Sequence, residues 1–489
     1  MSSLATSGAR GAAFTLGGQG GAVLVRLIGL AVLARLVDPS IYGIVAVGVA
    51  ISAFAVAVAA MGIPMALAQA PTITRTAEST LFYANVALGA LVSLAMVVAA
   101  PLVAYLTGHE ILTELVRWLA IAPLAAAMLG MLRVRLARGM RFRALAAIEV
   151  AATAMAFGTA IAVAAAGHPY VALVLQALVL PCAQLFLLAI VSRWWPSGIH
   201  RPSPVERELV GIGLRAVAIN MLREGSRNAI VPALSMAAPP AHVGAFDRAQ
   251  QLILMPIGLT VEQMKRVALP VLARVSDDAE RLAAYFRRAQ QLATYGTATL
   301  FGLMAALAEP VVLVLLGRDW SEAVPLLRVL AIGGVFRALG LTAQWLHLGP
   351  AAMSRGLRFN VVALPAVVVI ALLGLPWGAM GVAVAYGSAW ILYWPVALRS
   401  ASHAHGLNAR VFLFDASRGL IQFVLPTSLA AAVASSVLDG TVLSLAAGLG
   451  AAAAVGAASA LVAPRVRRDF LAVWHLVGPS GHGSPGEAG

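Results

Sequence analysis

Arginine is the residue type in this chain best placed to do chemistry, because several arginines stand inside long apolar stretches. Arg26 lies within Gly11–Leu36, Arg223 and Arg227 within Leu209–Met236, and Arg248 just inside the stretch 241–264. By insertion scales, a charge at the centre of a bilayer costs about 3 kcal/mol. It persists where it faces a wet cavity, and there it handles an ion or a charged substrate. A guanidinium stays protonated and donates paired hydrogen bonds to phosphate. The chemistry indicated is recognition of an anion at membrane depth. No HExxH, nucleophile elbow or Walker motif is present. The run Gly17-Gly18-Gln19-Gly20-Gly21 is no phosphate loop, since no strand precedes it and no Gly-Lys-Ser/Thr follows; it suits close helix packing.

The elements that must hold these arginines are membrane helices. Of 489 residues, 61% are hydrophobic and 11% charged, and the mean hydropathy is +0.89. A soluble chain of this length has no way to bury so much apolar surface, so the class is a polytopic, all-α integral membrane protein. Fourteen spans are expected, at roughly 11–36, 41–62, 80–106, 111–132, 145–166, 169–192, 209–236, 241–264, 290–316, 322–346, 359–375, 378–398, 411–436 and 440–463. The first is too long for a signal-peptide core and is expected to remain as a helix. The net charge is +14, and Lys265 is the single lysine. These charges fall between apolar spans, which points to anionic lipid heads rather than nucleic acid. The lone Cys182 excludes an intramolecular disulfide and sits in an apolar span, where packing explains it.

Charge also orients the spans. With the N-terminus in the cytoplasm, the inside segments hold Arg75, the Arg133–Arg143 cluster, Arg193, Arg274, Arg287, Arg355, Arg358, Arg399 and Arg467. The outside loops offer only Arg318. By the positive-inside rule, both termini are cytoplasmic. The longest inside loop, Lys265–Gln290, begins acidic at Asp277-Asp278 and ends basic at Arg287-Arg288, so it is expected to form a capped helix along the inner membrane surface. The tail 465–489 is cytoplasmic, and from Pro479 it has the composition of a disordered segment.

An internal repeat is visible. Leu115-Val116-Arg117-Trp118-Leu119-Ala120-Ile121 resembles Leu326-Leu327-Arg328-Val329-Leu330-Ala331-Ile332, and Arg138-Gly139-Met140-Arg141-Phe142 resembles Arg355-Gly356-Leu357-Arg358-Phe359. Pro39 and Gly43 share their spacing with Pro240 and Gly244. Two six-span lobes follow, 1–208 and 209–400, with spans 13 and 14 in 401–464. Six is even, so the lobes are related by a pseudo-twofold axis along the membrane normal, and substrate sites in such folds lie near the midplane between repeats. Aligning Gly43 with Gly244 places Arg26 on Arg227 and Gln19 on Asn220. Residues seven apart share a helix face, so Gln19 with Arg26 and Asn220 with Arg227 form two stripes expected to face a central cavity, with Arg223 beside the second. Arg117 and Arg328 lie near the outer surface and are expected to snorkel, whereas Arg337 is deeper and has no assigned role. Glu149, Glu224, Asp247 and Glu262 are acids near or within spans, candidates for carrying a coupling proton or Na⁺ or for balancing nearby arginines.

The stretches that carry the repeat also resemble a known family. Leu33-Ala34-Arg35-Leu36-Val37-Asp38-Pro39-Ser40-Ile41-Tyr42-Gly43 resembles the first external turn of Wzx-type polysaccharide repeat-unit flippases. Val243-Gly244-Ala245-Phe246-Asp247-Arg248-Ala249-Gln250-Gln251-Leu252 is similar to the start of their eighth span, and Leu316–Arg328 to their ninth-to-tenth connection. Gly378-Ala379-Met380-Gly381-Val382-Ala383 fits the turn before span twelve. The resemblance covers spans 1 to 12 and implies the multidrug/oligosaccharidyl-lipid/polysaccharide superfamily. It further implies a bacterial cytoplasmic-membrane flippase for an undecaprenyl-diphosphate-linked glycan of exopolysaccharide or lipopolysaccharide synthesis. Neither an enzymatic step nor a cofactor is implied, and the driving force would be protons, Na⁺ or the membrane potential. Expected partners are the lipid-linked glycan, membrane lipids and the polysaccharide polymerase and export machinery. The family's cationic lumen places a diphosphate contact on the spans of Arg26 and Arg248. Alternatives are a lipid II flippase, a multidrug/cation antiporter, or, in a different class, a membrane glycan polymerase or glycosyltransferase. An antiporter for cations would favour an acidic lumen, and an enzyme would need a large external loop or cytosolic domain.

Overall fold

The computed structural model describes residues 20–69, 74–198, 203–261, 264–265, 268, 272, 274–275, 278–347, 352–438, 440–462 and 466–467. The described residues hold helices and no strand. Helix α1 covers 20–36. It is followed by α2 (Pro39–Gln69), α3 (Arg75–Thr107), α4 (Ile111–Leu119), α5 (Ile121–Arg138), α6 (Phe142–Ala165), α7 (Pro169–Ser192), α8 (Pro204–Asn228), α9 (Ile230–Ser235) and α10 (Pro240–Leu259). Then come α11 (Ala279–Leu292), α12 (Thr299–Ala306), α13 (Ala308–Leu315), α14 (Ala323–His347), α15 (Met353–Leu372), α16 (Gly378–Ala404), α17 (Ala409–Gly419), α18 (Leu425–Val437) and α19 (Thr441–Val462).

A bilayer core about 30 Å thick needs about 20 apolar helical residues, because every backbone polar group must be satisfied within the segment. Among the described residues, nine helical stretches are long and apolar enough, or ten if the pair Ala279–Ala306 and Ala308–Leu315, bent by 82°, is one span. One of these stretches, Ser354–Ala404, has 51 residues and contains both α15 and α16. Helix α8 is not among them. It carries Arg215, Arg223, Glu224 and Arg227 within its length, so the segment with most of the candidate charges is poorly suited to bare lipid.

Helix ends are set by local chemistry. Thr74 caps α3 by accepting from the Ala77 amide at 3.2 Å, and Gly108 closes it in the left-handed conformation at φ 72°. Ser203 and Glu206 form a reciprocal capping box at the start of α8. Asp278 caps α11 through the Glu280 and Arg281 amides, both at 3.1 Å. This helix, expected from its charge pattern, is continuous with α12 through a π-helical turn at Ala293–Ala298, and Arg287 pairs with Asp415 at 2.5 Å. A second π-helical turn, Leu420–Val424, faces the first. Tyr295 and Phe423 meet there edge to face with centroids 5.3 Å apart, and the bare Cα of Gly419 lies against Thr294.

The chain divides into two compact units, Met1–Asp247 with Leu315–Asp319, and Arg248–Val314 with Trp320–Gly489. In the first, Ile63, Leu67, Leu81, Phe82, Leu132, Leu188 and Trp194 form one buried cluster. The arginine-rich turn after α5 is tied down by polar contacts. Arg135 pairs with Glu78 and lies over the Trp194 ring, Arg138 donates to the Leu67 carbonyl at 2.9 Å, and Arg141 donates to the Val191 carbonyl at 3.1 Å. In the second unit, α14 and α16 approach so closely that a Cβ on Gly333 would lie 2.6 Å from the Gly387 Cα, the small-residue contact expected between membrane helices.

The repeat has a physical counterpart in the first unit. A Cβ on Gly43 would sit 1.7 Å from the Pro240 carbonyl oxygen, and a Cβ on Gly244 would sit 2.2 Å from the Pro39 carbonyl oxygen. The contact is reciprocal: each repeat's proline carbonyl faces the other's glycine, as a local twofold requires. Gly43→Ala and Gly244→Ala are expected to lower stability by about 1–3 kcal/mol each, because backbone cannot retreat as a flexible side chain can. Gly158→Ala, with open space around its Cα, is expected to leave the thermal midpoint in detergent unchanged or raised.

Candidate functional site

The candidate arginines stand on three helices, α1, α8 and α10. Helix α1 presents its glycines to α6: a Cβ on Gly29 would lie 2.2 Å from the Phe157 ring, and one on Gly21 would touch Val150 at 3.5 Å. On this helix Arg26 is half-buried and has no hydrogen bond or ion pair among the described residues. Gln19, its expected neighbour on the stripe, lies outside the described residues.

Helix α8 rests on α2 through a second glycine contact, in which Gly62 meets the Gly213 carbonyl and Gly213 meets Ile63. Asn220 and Arg223 lie on this helix, and its backbone alone is described at these two positions. Arg227, at the last turn, is half-exposed, and its guanidinium is 3.8 Å from the Glu224 carboxylate. A pair one helical turn apart at that distance is weak, so Arg227 keeps donors for another anion. Arg248, on α10, is buried at 9% exposure, next to the half-buried Asp247. Arg26, Arg223 and Arg227 belong to the first compact unit, and Arg248 opens the second.

Among the acids, Glu149 accepts from Arg133 at 2.6 Å and from Gln184 at 3.0 Å. Glu224 is shielded beside Arg227. Glu262 lies outside the described residues. Arg117 and Arg328 are both exposed, as snorkelling side chains are.

The second unit contains a polar array that sequence reasoning did not assemble. Arg337 donates to the Tyr386 hydroxyl at 2.9 Å, and its guanidinium stands 4.9 Å from the Trp390 ring centroid. About two turns further along both helices, Gln344 donates to the Tyr393 hydroxyl at 2.6 Å, which donates to the Asn360 side-chain oxygen at 3.1 Å. Below these, His347 and Ser400 are hydrogen-bonded at 3.2 Å. The members recur at spacing seven: Arg337 and Gln344 on α14, and Tyr386, Tyr393 and Ser400 on α16. That spacing keeps them on one face, and it was the available signal. The unit also contains a cleft of about 930 Å³ walled by α12 to α14, α18 and α19, with Glu309, Arg328, Phe336, Ser428 and Ser444 among its lining.

Comparison with known proteins bears on the whole assembly. Residues 32–325 match the family described as polysaccharide biosynthesis protein. The teichuronic acid biosynthesis protein TuaB of Bacillus subtilis (strain 168) is 25% identical over 288 residues, which are 58% of this chain and 59% of TuaB. The match therefore spans less than two thirds of that relative's length. The lipopolysaccharide biosynthesis protein WzxC of Escherichia coli (strain K12) is 23% identical, over 72% of each chain. The lipid II flippase MurJ in its inward closed conformation shares the fold with a TM-score of 0.71 at 13% identity, covering 93% of this chain and 99% of that one. An inward-facing multidrug resistance MATE family transporter of the MOP superfamily aligns with a TM-score of 0.53 at 14% identity, covering 80% and 94%.

The Tyr393 hydroxyl bonds two half-buried amides that also share a direct bond of 3.3 Å, so Tyr393→Phe removes two of the three hydrogen bonds of this set. The variant is expected to lose about 1–3 kcal/mol of stability, read as a lower thermal midpoint in detergent.

Proposed function

The chain belongs to the polysaccharide biosynthesis protein family, and from that premise we propose that it moves a polyprenyl-diphosphate-linked oligosaccharide across the bacterial cytoplasmic membrane. It is a multi-pass membrane protein with the fold of the MOP superfamily transporters. The observation that carries the finer reading is Arg26: a permanent cation, half-buried on an apolar helix, with no protein partner among the described residues. Such a charge is stabilised by water or by an anionic ligand, and a lipid diphosphate offers several oxygens to a guanidinium.

In this reading Arg26, Arg223, Arg227 and Arg248 receive the diphosphate and acidic sugars, with Gln19 and Asn220 as neutral hydrogen-bonding partners. The polyprenyl tail stays in lipid while the headgroup crosses. Arginine supplies fixed positive charge where the low dielectric would otherwise oppose entry of a multiply charged headgroup. Rocking of the two repeat halves then exposes the site to the other side. Both termini stay in the cytoplasm. A proton, Na⁺ or the membrane potential drives the cycle, with Asp247, Glu224, Glu149 and Glu262 as the candidates for ion coupling. The relatives TuaB and WzxC, named for teichuronic acid and lipopolysaccharide biosynthesis, support a polysaccharide precursor over lipid II as cargo.

The test is deletion of the gene and complementation with variants matched for membrane abundance. Deletion should leave lipid-linked oligosaccharide in the cytoplasmic leaflet and stop glycan export. Arg26→Ala and Arg248→Ala should each lower export about 10-fold or more, as expected for one charge-assisted contact of about 1.5–3 kcal/mol, with Arg26→Lys recovering part. Full export in both alanine variants and their combination would remove them from the site. An unchanged distribution of lipid-linked sugars in the deletion strain would refute the assignment.

A further inference from the structure

The Arg-Gly-x-Arg-Phe repeat occurs twice, and its two copies are used differently. In the first copy the guanidiniums of Arg138 and Arg141 close against the Leu67 and Val191 carbonyls. In the second, Arg355 and Arg358 are exposed, and neither pairs with a carboxylate among the described residues. The Arg358 Nε reaches only the carbonyl of Ser354 in its own turn, at 3.4 Å. Both arginines stand at the mouth of a groove between α15 and α16 with a volume of about 610 Å³.

The groove is built as an amphiphile's site would be. From Arg355 at the mouth it runs to Ile370 at the far end. Fifteen helical residues at 1.5 Å each make a length of about 22 Å, roughly one leaflet with its headgroup layer. Its walls past the mouth are apolar and include Val362, Leu392 and Val396, all largely exposed. The uncharged polar residues of the lining are Ser400 and Tyr393, both on α16. Two arginines above an apolar trough select a molecule with a negative head and a hydrocarbon chain. Basic pockets between membrane helices on the arginine-rich side bind anionic lipid heads, and each arginine adds attraction near the surface.

We propose that the groove between α15 and α16 is a binding site for an anionic glycerophospholipid of the adjacent leaflet, its phosphate held by Arg355 and Arg358 and one acyl chain lying along Val362, Ala366 and Val396. This site is separate from the arginines of the flippase reading and does not depend on which cargo is moved. Because α15 and α16 also hold Asn360 and Tyr393, which bond Gln344 of α14, the lipid would brace the junction of three helices.

The full-length protein in detergent, offered equimolar phosphatidylglycerol and phosphatidylethanolamine with identical chains, should retain phosphatidylglycerol preferentially by native mass spectrometry. Arg355→Gln and Arg358→Gln should each reduce that preference about 5-fold, and the double variant about 30-fold. Arg399→Gln, an exposed arginine on the same membrane side outside the groove, should leave it unchanged. Ala366→Phe fills the trough without changing charge and should lower retention of both lipids; it also serves if the double variant folds poorly. A phosphatidylglycerol preference that survives the double variant, or falls equally in Arg399→Gln, would overturn the site. Undiminished retention in Ala366→Phe would overturn the placement of the chain in the groove.

Discussion

The low dielectric of the membrane is the constraint from which the rest of this structure follows. Hydrocarbon offers no hydrogen bonds, so every backbone amide is satisfied within helices and every polar side chain must find a partner, a cavity or an interface. This explains why Tyr393, Gln344 and Asn360 form a closed set, and why His347 meets Ser400. Arg26 differs from these: it is half-buried and has no hydrogen bond or ion pair among the described residues.

Because the hydrophobic effect does little to join helices already in lipid, close packing has to do so. Glycines provide it at Gly43 with Gly244, at Gly62 with Gly213 and at Gly333 with Gly387. The first of these crossings relates the two sequence repeats, so one contact serves both assembly and symmetry. The two π-helical turns, Ala293–Ala298 and Leu420–Val424, rest against each other in the second unit. Extra carbonyls exposed by such turns are tolerated where another helix covers them.

The two copies of the Arg-Gly-x-Arg-Phe motif use the same residues differently. Arg138 and Arg141 lock a turn, whereas Arg355 and Arg358 are left facing outward beside an apolar groove. A motif therefore specifies what a residue type can bind; its neighbours decide what it does bind. The same holds for Glu149. Its sequence position suits ion coupling or charge balance equally, and the structure adds that Arg133 and Gln184 surround it.

Hydropathy alone determined that this chain is helical and membrane-spanning, because the bilayer's thickness and its lack of hydrogen bonds leave few other solutions. Spacing alone exposed the repeat, since Pro39-x-x-x-Gly43 and Pro240-x-x-x-Gly244 are local patterns that survive divergence. The polar array along Arg337, Tyr386 and Tyr393 was legible only in its seven-residue spacing; its partners come from three helices, and no local pattern pairs them. Sequence likewise marked the helix after Asp278 by its acidic start and basic end, but its continuation into α12 through a π-helical turn, packed against Phe423 and Gly419, is visible only in the tertiary structure. Tertiary structure also separated paired arginines from open ones, because whether a guanidinium meets a carbonyl depends on the path of a distant helix, and local sequence carries no record of that path.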